Sequence, residues 1–320
     1  MKRLFKGEAY RPTGYGITKD FNKLKIYSMN IDSLSVISAT AKIGSDVEIG
    51  AFCVIEPDVV IGDGCRLMSH VTVKRGAVIG NKNVFYEGVV IGNLPQHTAI
   101  DGNTGGVIIG NNNIFRENVT VHRAMHEHSL TNIGNSNYFM VNSHVAHDCK
   151  VGNNNVIVNN VMLAGHVEVG DRVNIGGAAG VHQFCRVGSF AMVGAQAHVM
   201  QDVLPFVTVD GLTSRIVGLN LVGLRRNGYT TGEINILKEV YRLVYRSGQT
   251  WKNILQKLQD QYSTGAASEI TKFVMTTKRG IVHEGRYTES SLIKFRHPTE
   301  NNPPNESKSE EPPTLRVNVG

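Results

Sequence analysis

The chain has 320 residues with 33 Lys or Arg against 27 Asp or Glu, a net charge of +6 with His neutral, and 41 % hydrophobic residues. No run of about 18 apolar residues is present to cross a membrane as a helix, and the N-terminus lacks the apolar segment of a secretory signal. Cys53, Cys65, Cys149 and Cys185 have neither CxxC spacing nor the density of a disulfide framework, so a soluble, cytoplasmic protein with reduced thiols is expected.

Residues 1–28 mix basic, Gly and Tyr residues without a regular pattern and are read as an extension, with Met29 a second candidate start. From there to residue 210 a six-residue register takes over. Twelve Ile-Gly or Val-Gly pairs begin at Ile43, Ile49, Ile61, Ile79, Ile91, Ile109, Ile133, Val151, Val169, Ile175, Val187 and Val193, and every gap is a multiple of six. Helices repeat near 3.6 and strands near 2, so this period predicts a parallel β-solenoid with short flat faces, the aliphatic side chain pointing inward and the Gly at the turn. Three faces make a coil of 18 residues, and the solenoid has about ten coils. Two segments break the register. Residues 93–106 carry no inward aliphatic and are predicted to leave the prism as a loop, and six extra residues within 123–129 are predicted to bulge.

Over residues 211–286 the pattern becomes helical. Ile234, Leu237, Val240, Tyr241, Val244 and Tyr245 recur at steps of three and four, Trp251, Ile254, Leu255 and Leu258 repeat the habit, and Ser247-Gly248 separates the two helices. Residues 221–286 hold eleven Lys or Arg against five Asp or Glu. Such a surface favours an acidic partner, for which nucleic acid, anionic lipid, phosphate and an acidic carrier protein all qualify. Residues 287–320, rich in Pro, Asn, Ser and Glu, read as a disordered tail.

Counting in coils singles out the histidines. Residues one coil apart stack at roughly 4.8 Å, so the 18-residue step brings His147 beside His166 and His166 beside His182. His144 precedes His147 on the same face, and His122 joins once the six-residue insertion is subtracted. Five imidazoles gathered on one edge serve two chemistries. One is a metal site of neutral histidines, as in carbonic anhydrases built on this kind of solenoid; the other is general-base catalysis by a single oriented His. Asp148 follows His147 directly and is placed to orient it, and Gly165 offers a backbone N–H one coil on, an arrangement that fits acyl transfer to a hydroxyl.

The segments Asn142-Ser143-His144-Val145-Ala146-His147-Asp148-Cys149, Leu163-Ala164-Gly165-His166-Val167, Gly180-Val181-His182-Gln183-Phe184-Cys185 and Val121-His122-Arg123 resemble the UDP-N-acetylglucosamine O-acyltransferase family of lipid A synthesis. The similarity continues through residues 218–228 and Tyr245-Arg246-Ser247-Gly248, and spans about residues 29–283. The resemblance implies a left-handed parallel β-helix, against the usual right-handed crossover, followed by a small helical domain. It implies a homotrimer with sites between subunits, an acyl group donated from acyl carrier protein, a UDP-sugar acceptor, no nucleic acid partner, and no cofactor or metal beyond the phosphopantetheine of the carrier. In these terms His147 is the general base, Asp148 its orienting partner, and the Gly165 N–H the oxyanion donor. His122, His144, His166, His182, Gln183 and Gln96 line the substrate pocket, Asn220 and Arg226 bind phosphates, and Ala195 closes the acyl groove. The chain departs from the family at His97 and Ala99, where an Asp and a Lys of the protruding loop usually stand, and at Asn227, which replaces a second basic residue. The reaction class keeps its base; another nucleotide sugar, or a 3-amino sugar giving an amide, stays open for the acceptor. A metal-dependent hydratase and a non-catalytic scaffold are the rival readings from other classes.

Overall fold

The computed structural model describes residues 31–100 and 103–285; the predicted extension and Met29, and the predicted tail, lie outside these residues. Among the described residues, twenty-seven short strands, most of two residues, form three sheets of nine, eight and ten strands. The chain visits the sheets in rotation, and each strand pairs in parallel with its counterpart one coil away. Val36 lies opposite Val54 in the first sheet, Lys42 opposite Val60 in the second, and Glu48 opposite Arg66 in the third, always an 18-residue step. The step widens to 30 where the first loop leaves, with Val90 opposite Thr120, and to 24 at the second, with Thr120 opposite His144. Both interruptions therefore fall where the broken register put them.

The inward residue of each strand is aliphatic or aromatic because the prism is too narrow to hydrate it. Ile55, Ile61, Ile79, Ile109 and Ile157 are all buried, and Phe85, Phe115 and Phe139 stack on successive coils with centroids 4.9 Å apart. The four cysteines are buried and free.

The glycines of the repeat are required by crowding rather than by backbone sign. A Cβ on Gly62 would lie 2.7 Å from the backbone carbon of Gly80, and one on Gly134 would lie 2.6 Å from the oxygen of Gly152. The left-handed conformation falls two residues after the glycine, on residues such as Asn112, Ser136, Asn154 and Arg172. Asn and Asp tolerate that region best, so the turns are rich in them.

On the edge between the second and third sheets those turns satisfy themselves. The Asn81, Asn111, Asn135 and Asn153 side chains each accept the backbone N–H of the turn one coil earlier, at 2.7 to 2.8 Å. Inside, Asn83, Asn113 and Asn137 form a second ladder, each Oδ1 accepting from the next coil's Asn at 2.9 Å.

The prism is finished by Ile216–Leu219, an antiparallel strand on Val207–Val209 that extends the third sheet into the segment read as helical. Helices α1 (Leu221–Arg226), α2 (Thr231–Arg246), α3 (Trp251–Gln261) and α4 (Ala267–Met275) follow. The two predicted helices are α2 and α3, and Ile234, Leu237, Val240, Tyr241, Val244, Ile254 and Leu258 form their buried stripes. Trp251 departs from its predicted place: as the first residue of α3 it is 49 % exposed. Helix α4 escapes the periodicity because Ala267, Ser268 and Thr271 share its buried face with Ile270 and Val274. Among the described residues no helix is long and apolar enough to cross a membrane.

Candidate active site

On the edge between the first and second sheets the same turn holds different side chains. His147, Gly165 and Gln183 occupy its second position on successive coils, and Asp148, His166 and Phe184 its third, left-handed position. The left-handed backbone turns these third-position side chains the same way, so they stack. The His166 and Phe184 rings lie 4.5 Å apart at 11°. Asp148, at the head of this column, reaches sideways to His147.

His147 Nδ1 and Asp148 Oδ2 are 2.8 Å apart. Asp148 Oδ2 also accepts the Met125 N–H at 3.0 Å, and the Asp148 N–H donates to Thr131 Oγ1 at 2.8 Å. Burial works against the Asp148 charge, but the His147 and Met125 hydrogen bonds, with Ser129 and the nearby His166, outweigh it and hold the carboxyl below its usual range. An ionised Asp148 accepts a hydrogen bond from the His147 Nδ1–H, which leaves Nε2 with its lone pair free to act as a base. His147 is 8 % exposed, more enclosed than an open prism edge would leave it.

That enclosure explains Gly165. A Cβ there would lie 2.6 Å from His147 Cε1 and 2.7 Å from Nε2, so only glycine lets the imidazole stand against the next coil. The Gly165 backbone, within reach of the ring, accepts only the Phe184 N–H through its carbonyl, and among the described residues no acceptor takes its own N–H.

Burial favours the neutral form of His122, His144 and His166. Burial drives the His122 pKa down to about 4, helped by His144 and His147; burial, with His147, lowers that of His144 as well. The His122 and His144 rings meet edge to face at 4.9 Å, and His144 Nδ1 is 2.7 Å from Thr120 Oγ1. His122 Nδ1 is buried without a protein partner. His166 meets His147 edge to face at 5.3 Å; burial lowers its pKa against the opposing pull of Asp148.

The two insertions roof this edge instead of projecting away from it. Arg123 ties them, its Nε donating to the Gly92 oxygen at 2.6 Å and its N–H to the Asn93 oxygen at 3.0 Å, and the Gly105 N–H donates to Ala124. From the first loop His97 meets His147 edge to face at 5.8 Å, while Gln96 beside it is exposed. From the second, Met125 reaches Asp148 and His126 sits close enough to His166 to affect its charge.

The structure thus assembles His122, His144, His147, Asp148, Gly165 and His166, and adds His97, His126 and Phe184 to them. The loop histidines escape coil counting because they stand outside the register; only their position in the two insertions marks them. His182 is two coils beyond Ala146 in the column that His122 begins, touches no other histidine ring among the described residues, and lies 3.3 Å from the Gln183 carbonyl. Asn220 and Arg226 are on another edge. Asn220 caps α1 by accepting the Gly223 N–H and donates to the Phe190 oxygen, and Asn227 receives Arg172 Nη1 at 2.8 Å, all beside the turns between the second and third sheets. Ala195 is exposed on the remaining edge, between the third and first sheets. Within one chain neither group reaches His147. His147, Asp148 and His166 also place three potential metal-ligating atoms within 4.8 Å of one another.

Comparison with known proteins settles the family. A structure of the Francisella novicida UDP-N-acetylglucosamine acyltransferase aligns with a TM-score of 0.78 and 37 % identity over 83 % of this chain and 99 % of that one. The chain belongs to the UDP-N-acetylglucosamine O-acyltransferase family. The LpxA structure from Acinetobacter baumannii agrees, with a TM-score of 0.77 and 38 % identity over 80 % of this chain and all of that one. The fold is accordingly the left-handed β-helix with a small helical C-terminal region. The family described as "Udp N-acetylglucosamine O-acyltransferase; Domain 2" matches residues 202–282, and the bacterial transferase hexapeptide family matches residues 40–75. By sequence the acyl-[acyl-carrier-protein]–UDP-N-acetylglucosamine O-acyltransferase of Gloeothece citriformis is 37 % identical over 166 residues, half of this chain. In that alignment the chain spans 60 % of the relative's length.

Proposed function

We propose that this chain moves an acyl group from acyl carrier protein to a hydroxyl of UDP-N-acetylglucosamine, the acylation that opens lipid A synthesis. The observation that carries the reading is the His147–Asp148 pair at 2.8 Å with the Gly165 backbone against its ring. Nε2 of His147 takes the hydroxyl proton as that oxygen attacks the thioester carbonyl. The negative charge that develops on the carbonyl oxygen is met by the Gly165 N–H. The C–S bond then breaks, and the imidazolium returns its proton to the leaving thiolate. Asp148 stabilises the imidazolium in between, and the neutral His122, His144 and His166 offer hydrogen bonds to the acceptor without repelling that charge. The residues supply the acid–base chemistry themselves, and the pantetheine thiol belongs to the donor.

The same reading makes a homotrimer the working unit. Asn220 and Arg226 lie on a different edge from His147, so packing one chain's phosphate-binding edge against a neighbour's histidine edge completes a site that a single chain leaves open. Arg225, Arg226 and Arg242 are exposed on the basic helical segment and suit an acidic carrier. The test is to incubate the protein with UDP-N-acetylglucosamine and a panel of acyl–acyl carrier proteins and follow free carrier thiol and acylated sugar together. Equimolar appearance of both is the expected result; thiol without acylated sugar would identify a thioesterase instead.

A further inference from the structure

The two ends of the prism are finished differently. At the far end Ile216–Leu219 pairs onto Val207–Val209 and α1 follows, so Phe206, Ile216 and Leu224 are buried. The near end has no such cover among the described residues. Ile37 and Ile43 occupy inward positions of the first coil yet are only half-buried, whereas Ile55 and Ile61, one coil on, are buried. Ile31, Leu34 and Phe52 are exposed around the same end, and Phe52 stands in the left-handed position of its turn, stacked on His70 at 5.0 Å. The backbone is open as well. The Ile55 and Ile61 carbonyls accept the Ser38 and Gly44 N–H groups of the coil before them, but the Ile37 and Ile43 carbonyls accept no backbone N–H among the described residues. An open sheet edge beside exposed apolar side chains is a template for pairing with another chain, and natural proteins cover or blunt such edges.

We infer that residues 1–30 of the same chain cover this end. Phe21, Leu24, Ile26 and Tyr27 lie within ten residues of Ile31, a length that spans up to about 35 Å when extended, so all four can reach a surface that begins at Ile31. The covalent link favours this occupant over a second copy, because a tethered segment meets the surface at an effective concentration on the order of millimolar. The charges are complementary. Residues 1–30 hold seven Lys or Arg against two Asp or Glu, and residues 31–66, the two coils nearest the end, hold six Asp or Glu against two Lys or Arg. The surface is separate from the histidine edge: His144–Val145 is the sixth strand of the first sheet counted from Val36–Ile37. Its role is to close an edge that would otherwise pair between copies, and it takes no part in acyl transfer.

The experiment is amide hydrogen–deuterium exchange on the full chain, comparing the wild type with Phe21→Ser/Leu24→Ser/Ile26→Ser and with Lys19→Glu/Lys23→Glu/Lys25→Glu. Residues 35–44 should exchange about tenfold more slowly in the wild type than in either variant, while residues 150–200 exchange alike in all three. Protection in the wild type should weaken as salt is added and should not depend on protein concentration. The exchange of residues 150–200 reports whether each variant is folded, so the charge variant decides if the serine variant does not fold. Equal exchange of residues 35–44 in the wild type and in a folded variant would overturn the inference. Exchange of these residues in the wild type at the rate of an unstructured peptide would overturn it without any variant. Protection that grows with protein concentration and survives in both variants would place a second copy on this end and overturn it as well.

Discussion

Along the edge between the second and third sheets, Asn81, Asn111, Asn135 and Asn153 each cap the coil before them, and the interior Asn83, Asn113 and Asn137 each accept from the coil after them. One edge away, with the same turn and the same left-handed third position, the residues are His147, Asp148, Gly165 and His166. Here the ladder is missing. Asp148 bonds to its own neighbour, His122 keeps an unpartnered nitrogen, and two loops bend over to roof the group. A repeated backbone therefore makes structure where its side chains satisfy each other and makes a reactive site where they are left with capacity for a ligand.

That contrast is sharpened most by His147→Ala. Loss of a positioned general base should lower turnover about 10²–10⁴-fold. Folding should survive, because Asp148 keeps its bonds to Met125 and Thr131. Turnover above about a tenth of wild type, or loss of the folded state by circular dichroism, would count against His147 as the base.

Gly165→Ala should come next. The added methyl must displace the His147 ring from contacts of 2.6 and 2.7 Å, and a misplacement on the order of 1 Å costs about 10²-fold in rate. The fall should appear in kcat while the acceptor KM changes little. An alanine variant with wild-type kcat would show that ring position is not critical.

On the other edge the expected effect is on stability. Asn137 donates to Asn113 and to the Gly152 oxygen and accepts the Asn155 N–H. Asn137→Ala leaves buried groups unpaired at about 1–3 kcal/mol each, which should lower Tm by several degrees. Activity per folded molecule should be unchanged at low temperature. A variant that loses activity but keeps its Tm would erase the distinction between the two edges.

Much of this was legible in the sequence because a solenoid makes position arithmetic. The period of six set the inward residues, and the 18-residue step carried His147 to Gly165 and His166. What the arithmetic missed has physical causes. His97 and His126 sit on insertions, where register has no meaning. His182 shares a column with His122 yet lies too many coils away to touch it. Asn220, Arg226 and Ala195 belong to other edges, a separation that a one-dimensional count of coils does not express. The glycines were read as turn formers, whereas coil-to-coil crowding requires them, because a sequence does not reveal which turn residue faces the next coil.

The smallest effect is a difference in pH response between the edges. His122 has its pKa lowered from 6.5 to about 4 by burial first and then by His144 and His147. The unfolded chain therefore takes up a proton before the folded one does as pH falls. Stability contributed by neutral His122 is fully present above pH 6.5 and is lost progressively between 6.5 and about 4. His144 and His166 shift in the same direction. Asp148 has the same sign in a lower window, since its lowered pKa contributes stability that is lost only as pH falls below its ordinary value of 3.8. The interval from pH 6.5 to 4 thus belongs to the imidazoles. At most about 1.4 kcal/mol is lost per pH unit for each such group. The measurement is Tm at pH 7 and pH 5 for wild type, His122→Gln and Asn137→Ala. Wild type should lose a few degrees on acidification, Asn137→Ala should lose the same amount from a lower start, and His122→Gln should lose less. If removing the histidine leaves the acid sensitivity whole, the enclosed imidazole does not set this edge apart from the asparagine edge.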